Sequence, residues 1–384
     1  MVPKSLPSYF LNHEKRVEVV VTGIGLVSAL GSLSTSWRSL IGGEVGIAWH
    51  QPFPELPPYP LGLIDSQPGE FSAIAEKVVR AAIADAGLSL PLPDCGVAIG
   101  SSRSCQGLWE QFPLPNSPWL ETLPNRGAIV AARTIATRAP VLAPMAACAT
   151  GLWAIARGAE LIRMGECDRV LAGAVEMPIT PLTLTGFERM GALAKTGCYP
   201  FDRQREGLVL GEGGGILVLE SQELAQKRGA TCYGKILGFG ATADGYHLSA
   251  PELEGKSAAI AIKDAIERSN LTLDDIDYIH AHGTSTRLND RNEANLIGHL
   301  FPENVPLSST KGATGHTLGA SGALGVAFCL LALKHQVLPP CTGLQVPEFD
   351  LNFIREARSA NINNTLCLSF GFGGQNTVLV MGND

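Results

Sequence analysis

The sequence predicts an α/β protein in which helices and strands alternate, stack in layers and form two similar halves. Two loops rich in small residues, around Cys148 and His316, each lead into an apolar helix with glycines at similar offsets. The polar, helix-prone stretch 221–230 lies between them and suits a connector. Strands that alternate with helices are typical of α/β layers. We therefore expect an internal duplication, with an N-terminal half at residues 1–225 and a C-terminal half at 226–384.

Short apolar runs and the glycines beside them predict the individual elements. The chain is expected to open with a strand at 18–22, a glycine turn at 23–25 and a helix from Leu26 onward. Residues 51–67 are rich in proline, which predicts a surface loop. Further strands are expected at 97–100, 169–174, 215–220, 366–370 and 377–381.

Composition and charge exclude several classes of protein. The chain has 384 residues, 45% hydrophobic and 17% charged, so it can bury a large core. A net charge of −7 argues against a nucleic-acid partner. Nine cysteines without a CxxC pair fit a reducing cytoplasm, and no Cys/His cluster has zinc-ligand spacing. The apolar run 17–30 is too short to span a membrane. We expect a cytoplasmic protein without a metal site or a membrane span.

Cys148 is the strongest candidate nucleophile. It lies among small residues, where an apolar strand turns into a helix predicted at 152–162. The positive end of a helix dipole favours a thiolate, but this effect is worth only about 1 kcal/mol. Because a free thiol has a pKa near ~8.5, the dipole alone leaves the sulfur mostly protonated. A base is therefore expected nearby.

Two histidines are candidates to complete this site. His282 follows a short apolar strand and enters a turn of glycine, serine and threonine, and His316 precedes an apolar helix predicted at 323–333. A hydrogen-bonded structural histidine is the alternative interpretation of each. The glycines beside both rings weaken that alternative, because glycine is favoured where a backbone must approach another group closely.

Taken together, these motifs resemble the β-ketoacyl-acyl-carrier-protein synthases of the thiolase superfamily. The matching segments follow the family's order and are residues 19–25, 147–151, 199–203, 211–215, 282–286, 311, 315–316 and 370–374. The resemblance implies a thiolase-like five-layer αβαβα fold made of two duplicated halves. It also implies a dimer, formed either with a second copy or with a related ketosynthase.

The same resemblance implies a decarboxylative Claisen condensation. Cys148 would carry the acyl group, while neutral His282 and His316 would bind the thioester oxygen of a malonyl unit. Lys311 would keep the charges and hydrogen bonds of the site in order. No bound cofactor is implied, since both substrates would arrive on the phosphopantetheine arm of an acyl carrier protein.

The resemblance also implies roles for residues around the nucleophile. The backbone amides of Cys148 and Phe372 would hold the oxyanion. Phe372, between Gly371 and Gly373, would act as a gate for the acyl chain; a core aromatic is the alternative. Three hydroxyl residues are expected to bind the pantetheine arm, namely Thr284, Thr286 and Ser249. Hydroxyls in a turn otherwise indicate side-chain-to-backbone turns.

The chain departs from the family pattern near the acyl pocket and the lysine. The acyl-pocket candidates are Arg103, Phe187 and Leu208. Leu208 stands where the family usually has phenylalanine, and Arg103 where it has an apolar residue or glycine. A buried guanidinium without a partner is very costly, so either Arg103 turns outward or the acyl substrate is unusual. Gly325 replaces a glutamate of the elongating members, which leaves Lys311 short of a partner.

These departures keep a second function open. An active elongating enzyme of fatty-acid, polyketide or specialised lipid synthesis is favoured by the complete Cys-His-His-Lys set. The alternative is a weakly active or inactive partner subunit, similar to a chain-length factor, in a heterodimeric ketosynthase. A thiolase is disfavoured, because Phe372 stands where thiolases carry a second cysteine.

Overall fold

The computed structural model describes residues 17–111 and 119–383. Its strands are β1 (Val19–Ser28), β2 (Gly31–Ser32), β3 (Ala48–His50), β4 (Tyr59–Leu61), β5 (Gly96–Gly100), β6 (Val141–Leu142), β7 (Arg169–Glu176), β8 (Gly213–Ser221), β9 (Gly234–Ala243), β10 (Tyr278–His280), β11 (Leu307–Ser308), β12 (Val337–Leu338), β13 (Arg358–Ser359), β14 (Asn364–Gly371) and β15 (Gln375–Gly382). Its helices are α1 (Leu33–Ile41), α2 (Phe71–Asp85), α3 (Gln106–Trp109), α4 (Arg126–Ile135), α5 (Thr150–Arg163), α6 (Pro181–Arg189), α7 (Gln222–Lys227), α8 (Lys256–Arg268), α9 (Arg287–Leu300), α10 (Lys311–Thr314) and α11 (Ser321–His335).

Ten of the strands form two sets of five with the same order. Across the first set the order is β6-β5-β7-β8-β1, and across the second it is β11-β10-β14-β15-β9. Numbered along the chain, each set reads 3-2-4-5-1. In each set the fifth strand, β8 or β15, runs antiparallel to both of its neighbours. The sets join where β1 pairs with β9.

Three apolar clusters separate the helices into three layers around these sheets. Helices α2 and α4 cover the outer face of the first sheet. Helices α5 and α11 lie between the sheets and pack against the inner faces of both. Helices α8 and α9 cover the outer face of the second sheet. The result is a five-layer αβαβα arrangement, which confirms the predicted fold class.

The central helices α5 and α11 touch at their N-terminal ends. Gly151 and Gly322 are the second residues of these helices, and each lies against the other helix. A Cβ atom at Gly151 would lie 2.6 Å from the backbone nitrogen of Ala323, and one at Gly322 would lie 2.8 Å from Cγ of Leu152. Only glycine allows this approach, so the segments that precede the two helices meet in the middle of the molecule.

Helix α11 lies deep in the core. The segment Leu318–His335 is long and apolar enough to cross a membrane by composition, but 89% of it is buried inside the protein. It is apolar on all sides because sheets and helices surround it.

The predicted turn and helix at the start of the chain are wrong. β1 runs unbroken through Ser28, and the first helix begins at Leu33. Gly23 and Gly25 lie inside the strand, where a Cβ atom would strike the backbone of α2; at Gly23 it would lie 2.6 Å from the carbonyl oxygen of Ala82. These glycines therefore allow close packing of strand on helix. The predicted loop at 51–67 is also only partly correct, since it contains the buried strand β4.

Candidate active site

The segments that precede α5 and α11 open into one cavity of about 330 Å³. Cys148, His282 and His316 all line it. So do most of the other predicted site residues: Phe187, Leu208, Ser249, Thr284, Thr286, Gly371 and Phe372. Lys311, Gly373 and Arg103 are not among its lining residues. Three distant stretches of chain thus meet at the nucleophile, as the sequence predicts.

Hydrogen bonds from Thr150 and Ser369 fix the loop that carries the candidate nucleophile Cys148, called here the nucleophile loop. Ala147 has a φ of +48°, a left-handed conformation that presents the next residue, Cys148, to the cavity. The Thr150 hydroxyl donates to the Ala147 carbonyl at 2.7 Å and accepts from the Ala146 amide at 2.9 Å. The Ser369 hydroxyl donates to the Cys148 carbonyl at 2.9 Å. The backbone around the sulfur is therefore fixed before substrate arrives.

Burial keeps the Cys148 thiol protonated at rest. Burial raises the pKa of Cys148 to about 11, although the Lys311 charge and a hydrogen bond from the Phe372 amide act in the opposite direction. Desolvation thus outweighs the modest effect of the helix dipole. Any reaction at this sulfur as a thiolate therefore first requires loss of its proton.

His282 is held through its backbone and through one ring nitrogen. The carboxylate of Glu293, on α9, accepts hydrogen bonds from the amides of His282 and Gly283 at 2.6 and 2.7 Å. Lys311 Nζ donates to the His282 carbonyl and lies 3.5 Å from Nδ1 of the ring. A charged Lys311 has no lone pair, so its contact with Nδ1 favours the tautomer that carries the ring proton on Nε2.

His316 is held by a hydroxyl group instead. Its Nδ1 lies 2.8 Å from Ser321 Oγ, which in turn lies 3.2 Å from Thr317 Oγ1. The His316 and His282 rings are edge to face, with centroids 5.4 Å apart. Burial and the nearby Lys311 charge hold the pKa of both imidazoles well below 6.5. Both rings are therefore neutral at pH 7 and can act as hydrogen-bond donors in the cavity.

Lys311 stands behind His282. The space near its expected glutamate partner is filled differently: a Cβ atom at Gly325 would lie 2.8 Å from both the His280 ring and the Cys367 sulfur. Lys311 finds its hydrogen-bond partner in the His282 carbonyl. Burial lowers the pKa of Lys311, and the Glu293 charge opposes this change.

The acyl-pocket candidates separate into two groups. Phe187 and Leu208 are buried in the apolar cluster that contains Cys148. Arg103 is exposed, and its guanidinium carbon lies 5.8 Å from the centroid of the Phe187 ring, a cation–π contact. Arg103 therefore turns outward, which avoids the cost of burying its charge.

The predicted gate forms the turn between β14 and β15. The Phe372 ring lies against Phe187, with centroids 6.0 Å apart. At Gly371 a Cβ atom would lie 2.8 Å from the Ala146 carbonyl oxygen, so glycine lets this turn approach the nucleophile loop. Gly373 has a φ of +79°, and its amide donates to the Leu248 carbonyl at 2.8 Å. The turn is thus tied to the segment that carries Ser249.

The hydroxyls predicted to bind a pantetheine arm lie on one side of the cavity. Thr284 Oγ1 and Thr286 Oγ1 are 2.9 Å apart, and Ser249 lines the same space. The short turn that contains both threonines is fixed by Asp290, whose carboxylate accepts from the Ser285 amide at 3.2 Å.

Sequence reasoning missed several residues that hold the site. Glu176 is fully buried and accepts five hydrogen bonds, from Ser101, Ser102, Arg103 and Gly319. Glu293 and Ser321 were missed as well. A signal exists for Glu293, which lies one turn after Asp290 at the start of a helix, directly after the His282 turn. Within residues 17–111 and 119–383, no cluster of three or more potential metal ligands is found.

Comparison with known proteins gives a consistent picture. Residues 64–225 match the model described as "Beta-ketoacyl synthase, N-terminal domain", and residues 233–345 match "Beta-ketoacyl synthase, C-terminal domain". The 3-oxoacyl-[acyl-carrier-protein] synthase 2 of Staphylococcus aureus (strain MRSA252) is 33% identical, over 95% of this chain and 98% of its own. The protein of the same name from Coxiella burnetii is 34% identical, over 96% and 99%.

Solved structures agree with the sequence matches. A type II polyketide ketosynthase in complex with its acyl-carrier protein, AntDE:AntF, has a TM-score of 0.91 and 29% identity, over 96% of this chain and 100% of the matched chain. The ishigamide ketosynthase/chain length factor has a TM-score of 0.88 and 29% identity, over the same shares. This chain belongs to the β-ketoacyl synthase family of condensing acyltransferases.

Proposed function

We propose that this chain is an active 3-oxoacyl-[acyl-carrier-protein] synthase, which condenses an acyl group on Cys148 with a malonyl unit. The observation that carries the proposal is the single cavity lined by one thiol and two neutral imidazoles. Each imidazole has its Nδ1 engaged, by Lys311 or by Ser321, which leaves Nε2 to act on a ligand.

In the first half-reaction, Cys148 Sγ attacks the thioester carbonyl of an acyl carrier protein. The new carbon–sulfur bond forms as the old thioester bond breaks, and the thiol proton ends on the departing phosphopantetheine sulfur. The amides of Cys148 and Phe372 hold the oxyanion. The hydrogen bond from the Phe372 amide to Sγ supports this role, because it places that donor at the reacting sulfur.

In the second half-reaction, the two histidines act on the malonyl thioester. Their Nε2–H groups donate to its carbonyl oxygen while the carboxylate leaves as carbon dioxide, so that the enolate is stabilised where its charge develops. One such donor is typically worth about 3 kcal/mol. The enolate carbon then attacks the acyl-enzyme carbonyl, Cys148 leaves as a thiolate, and a proton from water restores the thiol.

The remaining residues are proposed to guide the substrates. Thr284, Thr286 and Ser249 would bind the pantetheine arm on one side of the cavity. Phe187 and Leu208 would contact the acyl chain, with Phe372 between Gly371 and Gly373 as the gate. Lys311 keeps His282 in its tautomer. Arg103 would affect the outer edge of the acyl pocket through its cation–π contact with Phe187.

The partners and organisation follow the family. An acyl carrier protein would deliver both substrates; in the AntDE:AntF structure, an acyl-carrier protein is in complex with its ketosynthase. We propose a dimer with a second copy or a related ketosynthase, in the cytoplasm. We also propose that the two halves divide between residues 225 and 226. The separate matches at 64–225 and 233–345 support this division.

The alternative is a weakly active or inactive chain-length-factor-like subunit, and it has one observation in its favour besides the departures at Arg103 and Gly325. Two structural neighbours are described as a ketosynthase together with a chain length factor. Against it stand Cys148, His282 and His316 together in one cavity, with Lys311 in contact with His282.

The test offers the purified protein an acyl and a malonyl carrier-protein thioester and identifies products by mass. An active synthase gives the 3-oxoacyl product, and Cys148→Ala does not. An inactive wild-type protein that gains activity only with a second homologue would support the partner-subunit alternative.

A further inference from the structure

We propose that His280 is a positioning residue that fixes the His282–Lys311 pair through a hydrogen bond to Thr310. This inference rests on the proposed function, because its effect is expected in the malonyl half-reaction. His280 lies at the end of β10, two residues before His282, and is 2% exposed.

The position of His280 follows from a ladder of polar contacts between two neighbouring segments. Tyr278 Oη lies 2.8 Å from Ser308 Oγ, and His280 Nε2 lies 3.1 Å from Thr310 Oγ1. The His282–Lys311 contact, at 3.5 Å, comes next. Tyr278 and His280 lie two residues apart on β10, so their side chains point the same way. His282, just past the end of the strand, reaches the same neighbouring segment. The His280 contact is the rung directly below the reactive pair.

The His280 ring is held from its other side as well. Its Nδ1 lies 3.7 Å from Cys367 Sγ on β14. Gly325 on α11 presses against the ring, since a Cβ atom there would lie 2.8 Å from its Cε1 atom. Both ring nitrogens therefore have a partner, and α11 lies close to the ring between them. The His280 ring therefore fills the space between β10, β14 and the central helix α11.

The packing of the His280 ring controls the position of the Lys311 ammonium. Thr310 is bonded directly to Lys311, so the His280–Thr310 contact fixes the backbone from which Lys311 reaches back to His282. Lys311 in turn keeps the proton of His282 on Nε2. Loss of the hydrogen bond would let the ammonium drift from Nδ1 and leave His282 as a mixture of tautomers. The Lys311 charge also lowers the pKa of Cys148, but an ammonium that shifts while staying in the site keeps most of this longer-range effect.

The sharpest variant is Thr310→Val, which removes the hydroxyl while keeping the shape of the side chain. Its matched control is Thr310→Ser, which keeps the hydroxyl. We expect Thr310→Val to slow decarboxylation of the malonyl thioester about tenfold, the kinetic equivalent of one hydrogen bond. Acylation of Cys148, followed by mass, should stay within about twofold of wild type, the scatter ordinary for a distant change. Thr310→Ser should behave as wild type in both.

A second measurement does not depend on turnover. The nitrogen-15 shifts of the His282 ring should report an Nε2–H tautomer in the wild type and in Thr310→Ser, but a mixture in Thr310→Val. Equal decarboxylation and an unchanged tautomer in Thr310→Val would overturn the proposal. So would an equal loss of both half-reactions, which points to a general structural role. A wild-type protein that neither acylates nor decarboxylates refutes the proposed function alone, because the tautomer measurement still decides the role of His280.

Discussion

The loop that carries Cys148 and the loop that carries His316 occupy equivalent places but present different side chains to the cavity. Each precedes the helix that connects the third and fourth strands of its five-stranded set. The first residue of that helix bears a hydroxyl in both cases. Thr150 uses it to hold the backbone of the nucleophile loop, whereas Ser321 uses it to hold the His316 ring. Under the proposed function, the same scaffold carries the nucleophile in one half and a hydrogen-bond donor in the other.

Burial acts on the two loops in opposite chemical directions. It raises the pKa of the Cys148 thiol to about 11 and lowers the pKa of the His316 imidazole. Both shifts favour the neutral form, because a low-dielectric site disfavours charge of either sign. A thiol that keeps its proton and an imidazole that carries only one are therefore consequences of the same environment.

Removal of the Cys148 thiol should have the largest effect, a complete loss of acylation and condensation. In Cys148→Ala we expect no acyl-enzyme and no condensation, because the sulfur that forms the covalent bond is gone. Malonyl decarboxylation should persist, since the histidine pair is intact. Mass spectrometry of the protein and measurement of released carbon dioxide check the two halves. An acyl adduct on the variant would show that another residue is the nucleophile.

Removal of either histidine should produce the reverse pattern. His282→Ala and His316→Ala each lose one donor to the enolate, so decarboxylation is expected to fall by about 10²–10³. Acylation of Cys148 should be retained. Release of carbon dioxide at the wild-type rate would contradict the role assigned to that ring.

The pH dependence of Cys148 alkylation separates burial from the helix dipole. With a pKa of about 11, the thiolate fraction rises with pH over the whole range below that value. Labelling by iodoacetamide should accordingly increase about tenfold for each pH unit between roughly 7 and 10, because the thiolate is the reactive form. A plateau above pH 8 would mean that the dipole and Lys311 outweigh desolvation. Peptide mapping assigns the label to Cys148 rather than to another cysteine.

The two helix-terminal hydroxyls should give different phenotypes. Ser321→Ala leaves Nδ1 of His316 without its partner, and decarboxylation is expected to slow about tenfold, the cost of one hydrogen bond. Thr150→Val orphans the Ala146 amide, so its main effect should be a loss of about 1–3 kcal/mol in the free energy of unfolding. Urea unfolding and the decarboxylation assay compare the two variants. Identical effects on both measurements would remove the proposed distinction.

A substitution where α5 and α11 cross should lower the free energy of unfolding and leave the reaction rate little changed. Gly151→Ala places a Cβ atom against the backbone of α11, which cannot move easily. We expect a loss of about 1–3 kcal/mol, the usual cost of overpacking. Gly186→Ala, in helix α6 with nothing within 4 Å of the added atom, is the matched control and should be neutral or slightly stabilising. A Gly151→Ala protein as stable as the control would show that the crossing relaxes.

The residues that meet in the cavity could be predicted from the sequence because local motifs surround each of them. The helices that follow Cys148 and His316 could be predicted for the same reason, as both are long and apolar. The turn predicted at Gly23 and Gly25 was wrong, because glycine occurs both in turns and where two backbones approach closely. Which of the two applies depends on α2, more than fifty residues away.

The supporting contacts could not be predicted in the same way. Glu176 collects donors from Ser101–Arg103 and from Gly319, and nothing local to Glu176 announces them. Gly325 predicted a lysine without a partner, yet the His282 carbonyl supplies one and the His280 ring takes up the space. Such substitutions become intelligible only when residues from several strands and helices are seen side by side.

The backbone contact between the two central helices separates reactivity from specificity. The relative placement of Cys148 and His316 follows from that rigid junction, whereas His282 follows β10 and the cavity walls at Phe187 and Leu208 belong to other segments of the chain. Substitutions in those walls can therefore change the shape of the cavity without moving Cys148 relative to His316. The same placement of sulfur and imidazole can then be combined with cavities of different shape.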